Sequence, residues 1–141
     1  YNYGAGERKR VEQIYRLTLE LTAGIMAAGT ALCWLIPGGL IGLFTENPET
    51  ITIGITALHI ISLGFILSAV SVTSSGALEA LGQGMASLVI SVMRYVAVVI
   101  PAAFVLSRII GVTGVWWAFV CTESVTAVVA YVLYHRVWKR A

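Results

Sequence analysis

The sequence of 141 residues is 58% hydrophobic and only 11% charged, whereas soluble domains are about 45–50% apolar and about 25% charged. A soluble fold of this length has too much surface to bury so large an apolar fraction. The mean hydropathy of +0.87 therefore indicates a membrane protein. The formal net charge of +2 is too small to indicate a nucleic-acid partner.

Four apolar stretches are long enough for transmembrane helices, each of which needs about 20 mostly apolar residues. They are continuous, whereas the strands of a membrane barrel alternate apolar and polar residues over about ten positions. The predicted spans cover residues 17–44, 51–78, 85–107 and 111–135. Because the connections are short, we predict an all-α integral membrane protein in which about four helices run antiparallel to their neighbours in sequence.

Local signals mark the ends and the irregular points of these spans. Before the first span, residues 1–16 predict a turn and then a helix that begins at the membrane surface. Between the first two spans, Asn47 is a good helix N-cap, Pro48 suits the first helical position, and Glu49 favours the positive end of the helix dipole. Pro101 removes a backbone donor within the third span and predicts a kink.

Basic residues are concentrated at the two ends of the chain, which an even number of crossings places on one side of the membrane. They are Arg8, Lys9, Arg10, Arg16, Arg136, Lys139 and Arg140. The loops of the opposite side carry Arg108, Glu46 and Glu49. By the positive-inside rule, both termini are predicted to be cytoplasmic. We expect a multi-pass protein of the cell inner (plasma) membrane.

Two ionisable residues interrupt the third and fourth spans, where charges are costly and usually functional. Arg94 lies within the third span, and Glu123 lies midway along the fourth. Folding the two helices back about residues 108–110 places them within about two residues of equal depth, or about 3 Å. The sequence therefore predicts an Arg94–Glu123 contact. A static ion pair and a proton- or cation-coupling role for Glu123 both remain open.

The second span is rich in small hydroxyl side chains, which support close helix packing and can also line a polar cavity. Ser68, Ser71 and Ser75 are the candidates for cavity lining. His59, in the same span, is a fourth candidate because an imidazole titrates near neutral pH. The alternative interpretation of His59 is a hydrogen-bonded packing residue.

The sequence contains no pattern typical of an enzyme or a metal site. Cys33 and Cys121 both lie in apolar runs, and no Cys/His spacing indicates metal ligands. The glycines of residues 82–84 do not open a nucleotide-binding βαβ unit. We predict no catalytic residue, no metal and no enzymatic activity.

Motifs in a fixed order along the chain resemble those of one transporter family. They are YNYGAG at residues 1–6, GLFTENPE at 42–49, GALEALGQG at 76–84 with Arg94 ten residues later, and GVTGVWWA at 111–118. Together they resemble the MATE (multidrug and toxic compound extrusion) family, in its NorM/DinF-like group. The resemblance implies the ninth to twelfth helices of a twelve-helix fold, four of the six in its C-terminal lobe.

The resemblance further implies a secondary active antiporter that works by alternating access. Such proteins export cationic or amphipathic small molecules in exchange for H⁺ or Na⁺, with no cofactor besides that coupling ion. The expected partners are these substrates, membrane lipid and the missing N-terminal helices of the same protein, with no nucleic acid. Some members carry a cation-binding acid midway along the tenth helix, where this sequence has Ser68. That departure leaves the choice between H⁺ and Na⁺ open.

Two alternative functions fit the same apolar pattern. A lipid-linked oligosaccharide flippase of the same superfamily would need more basic residues along its cavity than Arg94 alone. A non-transporting membrane scaffold subunit would need only the four helices. The chain begins at Tyr1 with neither an initiator Met nor a signal peptide, so we expect a fragment of a longer protein.

Overall fold

The computed structural model describes residues 1–140, and in this part of the chain the secondary structure is entirely helical. The helices are α1 (Arg8–Leu35), α2 (Pro37–Gly42), α3 (Pro48–Ser62), α4 (Phe65–Ala80), α5 (Gly84–Val92), α6 (Val99–Ile110) and α7 (Val112–Arg140). A π-helical segment, Met93–Val98, joins α5 to α6 without a break. The predicted all-α membrane fold is confirmed.

Three continuous helical stretches are long and apolar enough to cross a membrane: Arg8–Leu35, Gly84–Ile110 and Val112–Lys139. The pair α3 and α4 makes a fourth crossing when it is taken as one bent span. Lipid suits the outer surface, because large apolar side chains such as Leu21 and Ile25 of α1 are well exposed. In water, this surface would be strongly unfavourable.

The second span differs from the continuous helix predicted over residues 51–78. It divides after Ser62, and its two halves are bent by 54°. Gly64 lies at the break. Glycine has more conformational freedom than other residues, so it favours a continuous helix less at this position. The hydroxyl of Thr30 in α1 lies 3.0 Å from the carbonyl oxygen of Ser62 and 2.9 Å from that of Met26, and its one hydrogen can be donated to either. A partner of this kind makes broken backbone tolerable inside a membrane.

The sequence signals at the start of α3 act as predicted. The side chain of Asn47 accepts hydrogen bonds from the backbone N–H groups of Glu49 at 2.9 Å and Thr50 at 3.3 Å. Pro48 occupies the first turn, where its missing N–H has no cost. The predicted N-cap is confirmed, and it begins α3 immediately after the loop.

The longest helix, α7, organises the bundle. It packs along α4 and α6, and α1 also packs against α4. A buried apolar cluster forms near the chain's two ends, where Leu78, Ile90 and Tyr134 meet. The ring of Tyr15 from α1 stacks on that of Tyr134, with centroids 4.0 Å apart. These contacts fix the positions of α4, α5 and α7 relative to one another at the end of the bundle that carries the two chain ends.

Candidate functional site

Three helical elements converge on one polar centre in the middle of the bundle. Glu123 comes from α7, Arg94 from the π-helical segment, and Ser71 from α4. Ser71 is completely buried. The side chains of Arg94 and Glu123 are only 14% and 19% exposed. We refer to these three residues as the central triad.

The central triad is joined by direct polar contacts. An Nη2 atom of Arg94 lies 3.8 Å from Oε2 of Glu123 and also donates to the hydroxyl of Ser71. The Ser71 hydroxyl lies 3.3 Å from the same carboxylate oxygen and 3.1 Å from the carbonyl oxygen of Ser68. A serine hydroxyl has one hydrogen to donate. Ser71 can therefore donate a hydrogen bond either to the carboxylate of Glu123 or to the carbonyl of Ser68, but not to both at once.

Arg94 is incompletely satisfied in this arrangement. Its Nε atom is buried and has no hydrogen-bond partner. A buried charge is tolerable when it is paired, and removing its counter-charge is strongly unfavourable. The position of Arg94 therefore depends on the charge of Glu123. Any process that neutralises the carboxylate removes the ion pair and leaves the guanidinium with its hydrogen bond to Ser71.

The backbone that carries Arg94 is itself irregular. The N–H of Val99 donates to the carbonyl of Arg94, which is the five-residue spacing of a π-helix rather than the four-residue spacing of an α-helix. Pro101 follows shortly and supplies no N–H. Single π-helical turns are often found at functional sites. The irregular turn lies just before the position at which Pro101 predicted a kink.

The bend in the second span also faces the central triad. A Cβ atom built on Gly64 would lie 3.5 Å from Cγ and 3.6 Å from Cβ of Glu123. The chain thus turns at the residue that stands beside the carboxylate. A larger side chain at position 64 would press on Glu123 directly.

A second polar layer lies closer to the predicted cytoplasmic end. Ser75 and Ser87 join α4 to α5 through a hydrogen bond of 2.6 Å between their hydroxyls. The Ser87 hydroxyl also donates to Oε1 of Glu79. Neither Ser87 nor Glu79 is among the residues that the sequence predicts to be functional. The spacing of residues along α4 could have identified Glu79. Glu79, Ser75 and Ser71 follow one face of this helix at four-residue intervals.

The remaining candidates lie elsewhere. His59 stacks on Trp34 with ring centroids 4.7 Å apart, and its buried Nε2 atom has no hydrogen-bond partner. The hydroxyl of Ser68 donates to the carbonyl of Gly64 in its own helix. Within the described residues, a cavity of about 390 Å³ lies between α1, α4 and residues 1–3. None of the four predicted cavity-lining residues contacts it.

The fold and its partly buried ion pair define a multi-pass membrane protein built around a polar centre. The MatE family model matches residues 1–105, well over half of the chain. The chain therefore belongs to the MATE family of membrane transporters, as its motifs predicted. Relatives in this family are transporters rather than enzymes, in agreement with the sequence prediction.

Similar proteins include two multidrug export proteins named MepA. The protein from Staphylococcus saprophyticus is 23% identical over 133 residues, which cover 94% of this chain and 29% of the relative. The protein from Staphylococcus haemolyticus is 25% identical over 130 residues, which cover 92% and 28%. The chain thus spans about three-tenths of the length of these relatives.

Solved transporter structures match the fold over nearly the whole chain. The MATE transporter VcmN of Vibrio cholerae, in a bent form, superposes with a TM-score of 0.90 at 19% identity, covering 99% of this chain and 32% of VcmN. The MATE multidrug transporter DinF-BH, solved with R6G, gives a TM-score of 0.85 at 30% identity, covering 96% and 30%. Both matches agree with four helices of a larger fold.

Proposed function

We propose that the chain forms four helices of the C-terminal lobe of a longer secondary antiporter. That antiporter exports cationic or amphipathic compounds in exchange for inward-moving protons by alternating access. It lies in the plasma membrane, with both ends of this segment in the cytoplasm. The proposal is supported by the family, by the names of the multidrug relatives and by the fraction of their length that the chain covers.

Within this function, Glu123 carries a coupling proton. The single observation behind this assignment is its carboxylate in an otherwise uncharged part of α7, in contact with Arg94 and Ser71. Proton uptake removes the negative charge that attracts Arg94. The guanidinium is then left with Ser71 and with its unpaired Nε atom. Protonation therefore favours a different position of the π-helical segment, which couples charge to conformation.

A proton suits the central triad better than Na⁺. Hard cations are held by several oxygen ligands at short range. Around Glu123, the hydroxyl of Ser71 lies 3.3 Å from the carboxylate, whereas a proton needs no set of oxygen ligands beyond the carboxylate itself.

The test is Glu123→Gln in the longer transporter, reconstituted in liposomes that carry a proton gradient. Gln keeps the size and an acceptor oxygen of the side chain but cannot bind a proton in exchange. We expect loss of proton-driven efflux of a cationic dye by a protein that still folds, although its thermal stability in detergent falls because Arg94 loses its counter-charge. Glu20→Gln is the matched control, because Glu20 is exposed and pairs with Arg16.

Two results would contradict the proposal. One is proton-driven efflux by Glu123→Gln at the rate of the unmodified protein. The other is efflux by the unmodified protein that a Na⁺ gradient drives and a proton gradient does not. Loss of expression in Glu123→Gln would instead indicate that the ion pair with Arg94 serves folding.

A further inference from the structure

The second polar layer forms a short row of hydrogen bonds that ends at an exposed carboxylate. Ser87 is buried, with 3% of its surface exposed. Its hydroxyl contacts Ser75 on one side and Glu79 on the other. Glu79 is exposed, near the end of α4 that is predicted to be cytoplasmic. The row therefore connects the interior of the bundle to the membrane surface.

The number of available hydrogens determines the direction of this row. An ionised carboxylate only accepts hydrogen bonds, so Ser87 gives its single hydrogen to Glu79. Ser87 must then accept from Ser75 in their 2.6 Å contact. Both hydroxyls consequently point toward Glu79. The oxygen of Ser75 can still accept a further hydrogen bond.

The gap between the two polar layers is small. Ser75 and Ser71 are four residues apart on one face of α4, which is roughly 6 Å along a helix axis. A single water molecule spans such a gap when it forms two hydrogen bonds of about 2.8 Å. On the facing helix, Ser87 and Arg94 are seven residues apart and lie opposite Ser75 and Ser71. The two layers are thus stacked along one polar face.

We propose that Glu79, Ser87 and Ser75 form the proton exit route from Glu123 to the cytoplasm. This proposal rests on the proposed proton coupling. A proton leaves the Glu123 carboxyl through Ser71 and one bridging water and bonds to the oxygen of Ser75. Ser75 passes its own hydrogen to Ser87, and Ser87 passes its own to the carboxylate of Glu79. Glu79 then releases the proton to cytoplasmic water, and the hydroxyls rotate back.

A purely structural role predicts a different response to substitution. If the row only ties α4 to α5, Glu79→Gln is harmless, because the amide oxygen of Gln still accepts from Ser87. If the row conducts protons, the same variant fails, because an amide does not take up the transferred proton. Glu79→Gln therefore separates the two roles while it preserves the hydrogen bond.

The experiment uses the longer transporter in liposomes with a pH-sensitive dye on the side that receives the protons. We expect Glu79→Gln and Ser87→Ala to slow substrate-coupled proton release by at least about tenfold, given that a positioned proton-transfer group contributes roughly 100-fold or more. Substrate–substrate exchange, which needs no net proton movement, should stay normal. Ser87→Thr keeps the hydroxyl and should restore most of the rate.

Two controls match the variants. Glu20→Gln removes an exposed carboxylate that pairs with Arg16. Ser124→Ala removes an exposed hydroxyl that bonds only to the carbonyl of Val120 in its own helix. Both should release protons at the unmodified rate, and a slow control would overturn the assignment of the route.

Failure of this proposal can be distinguished from failure of the proposed function. Normal proton release by Glu79→Gln, together with loss of coupling in Glu123→Gln, overturns the exit route and leaves the function in place. Normal coupling in Glu123→Gln overturns both proposals. If Ser87→Ala fails to fold, Glu79→Gln still decides, because its side chain is exposed and its hydrogen bond is kept.

Discussion

Gly114 of α7 lies directly against the carbonyl oxygen of Leu106 in α6. A Cβ atom built on Gly114 would overlap that oxygen and would also approach the backbone nitrogen of Ser107 to 2.8 Å. Both obstacles are main-chain atoms, which cannot rotate away as a side chain can. The absence of a side chain at position 114 therefore allows α6 and α7 to turn back closely on each other. The close turn between the two helices determines how Arg94 and Glu123 align with each other along the bundle.

We expect Gly114→Ala to destabilise the fold by about 1–3 kcal/mol, because overpacking at a rigid contact forces backbone shifts. Thermal unfolding in detergent measures the effect. Gly24→Ala in α1 is the matched control, since a Cβ atom there meets nothing within 4 Å. Its stability should be unchanged or slightly raised, because Ala favours helix more than Gly. Equal thermal stability of Gly114→Ala and Gly24→Ala would contradict the close contact between Gly114 and the backbone of α6.

The interaction between Arg94 and Glu123 is measurable by a double-mutant cycle. We expect Arg94→Met and Glu123→Leu each to destabilise the fold by about 3–5 kcal/mol, since each leaves one buried charge without its partner. The double variant should recover part of this loss, with a coupling free energy of about 0.5–3 kcal/mol. Unfolding followed in detergent and denaturant gives the free energies of unfolding of the unmodified protein, the two single variants and the double variant.

The exposed pair Arg16–Glu20 is the reference for that cycle. Its side chains are 81% and 61% exposed and lie 2.9 Å apart. Exposed pairs of this kind couple by about 0.2–1 kcal/mol. A coupling for Arg94 and Glu123 that is no larger than this reference would show that the central pair contributes little to the fold.

Much of the fold was predictable because lipid imposes strong constraints on sequence. Long apolar runs, the Asn47 cap and the depth match of Arg94 with Glu123 depend on local composition and helix rise alone. The bend beside Gly64 was not predictable in this way. The chain contains 14 glycines, and only the neighbouring helices decide which of them interrupts a span.

The second polar layer required tertiary information. Gly82 has a φ of +78°, a left-handed conformation that favours glycine, and it reverses the chain between α4 and α5. That reversal places Ser87 beside Ser75 and Glu79. Spacing along α4 groups Glu79 with Ser75, but it does not specify which residue of α5 stands opposite. Likewise, nothing in the local sequence around Arg94 distinguishes a π-helical turn from an α-helical one.

Membrane orientation can be tested by cysteine labelling. We expect Glu46→Cys to react only from outside the cell and Gln83→Cys only from the cytoplasm, because basic residues are concentrated at the two ends of the chain. Both positions are exposed. The background variant replaces Cys33 and Cys121 with Ala and should not be labelled. Reaction of position 46 from the cytoplasmic side alone would reverse the predicted orientation.

The four helices can also be tested for transport on their own. Alternating access needs two units that move about a central site, commonly at the interface of repeats near the membrane midplane. The chain covers 29% of its MepA relative from Staphylococcus saprophyticus. We therefore expect these four helices to be inserted in liposomes without moving a cationic dye along a proton gradient.

The longer transporter, reconstituted at the same protein-to-lipid ratio, is the positive control, and liposomes without protein give the background leak. Dye movement by the four helices above that leak is not sufficient to contradict the prediction, since a loosely packed bundle can leak. The decisive variant is Glu123→Gln, which removes the proposed coupling carboxylate and whose passive leakage is measured separately without a proton gradient. Gradient-driven movement that this variant abolishes would mean that the four helices form a working carrier. The carrier would then be an assembly of several copies, because a single copy lacks the second unit that alternating access requires.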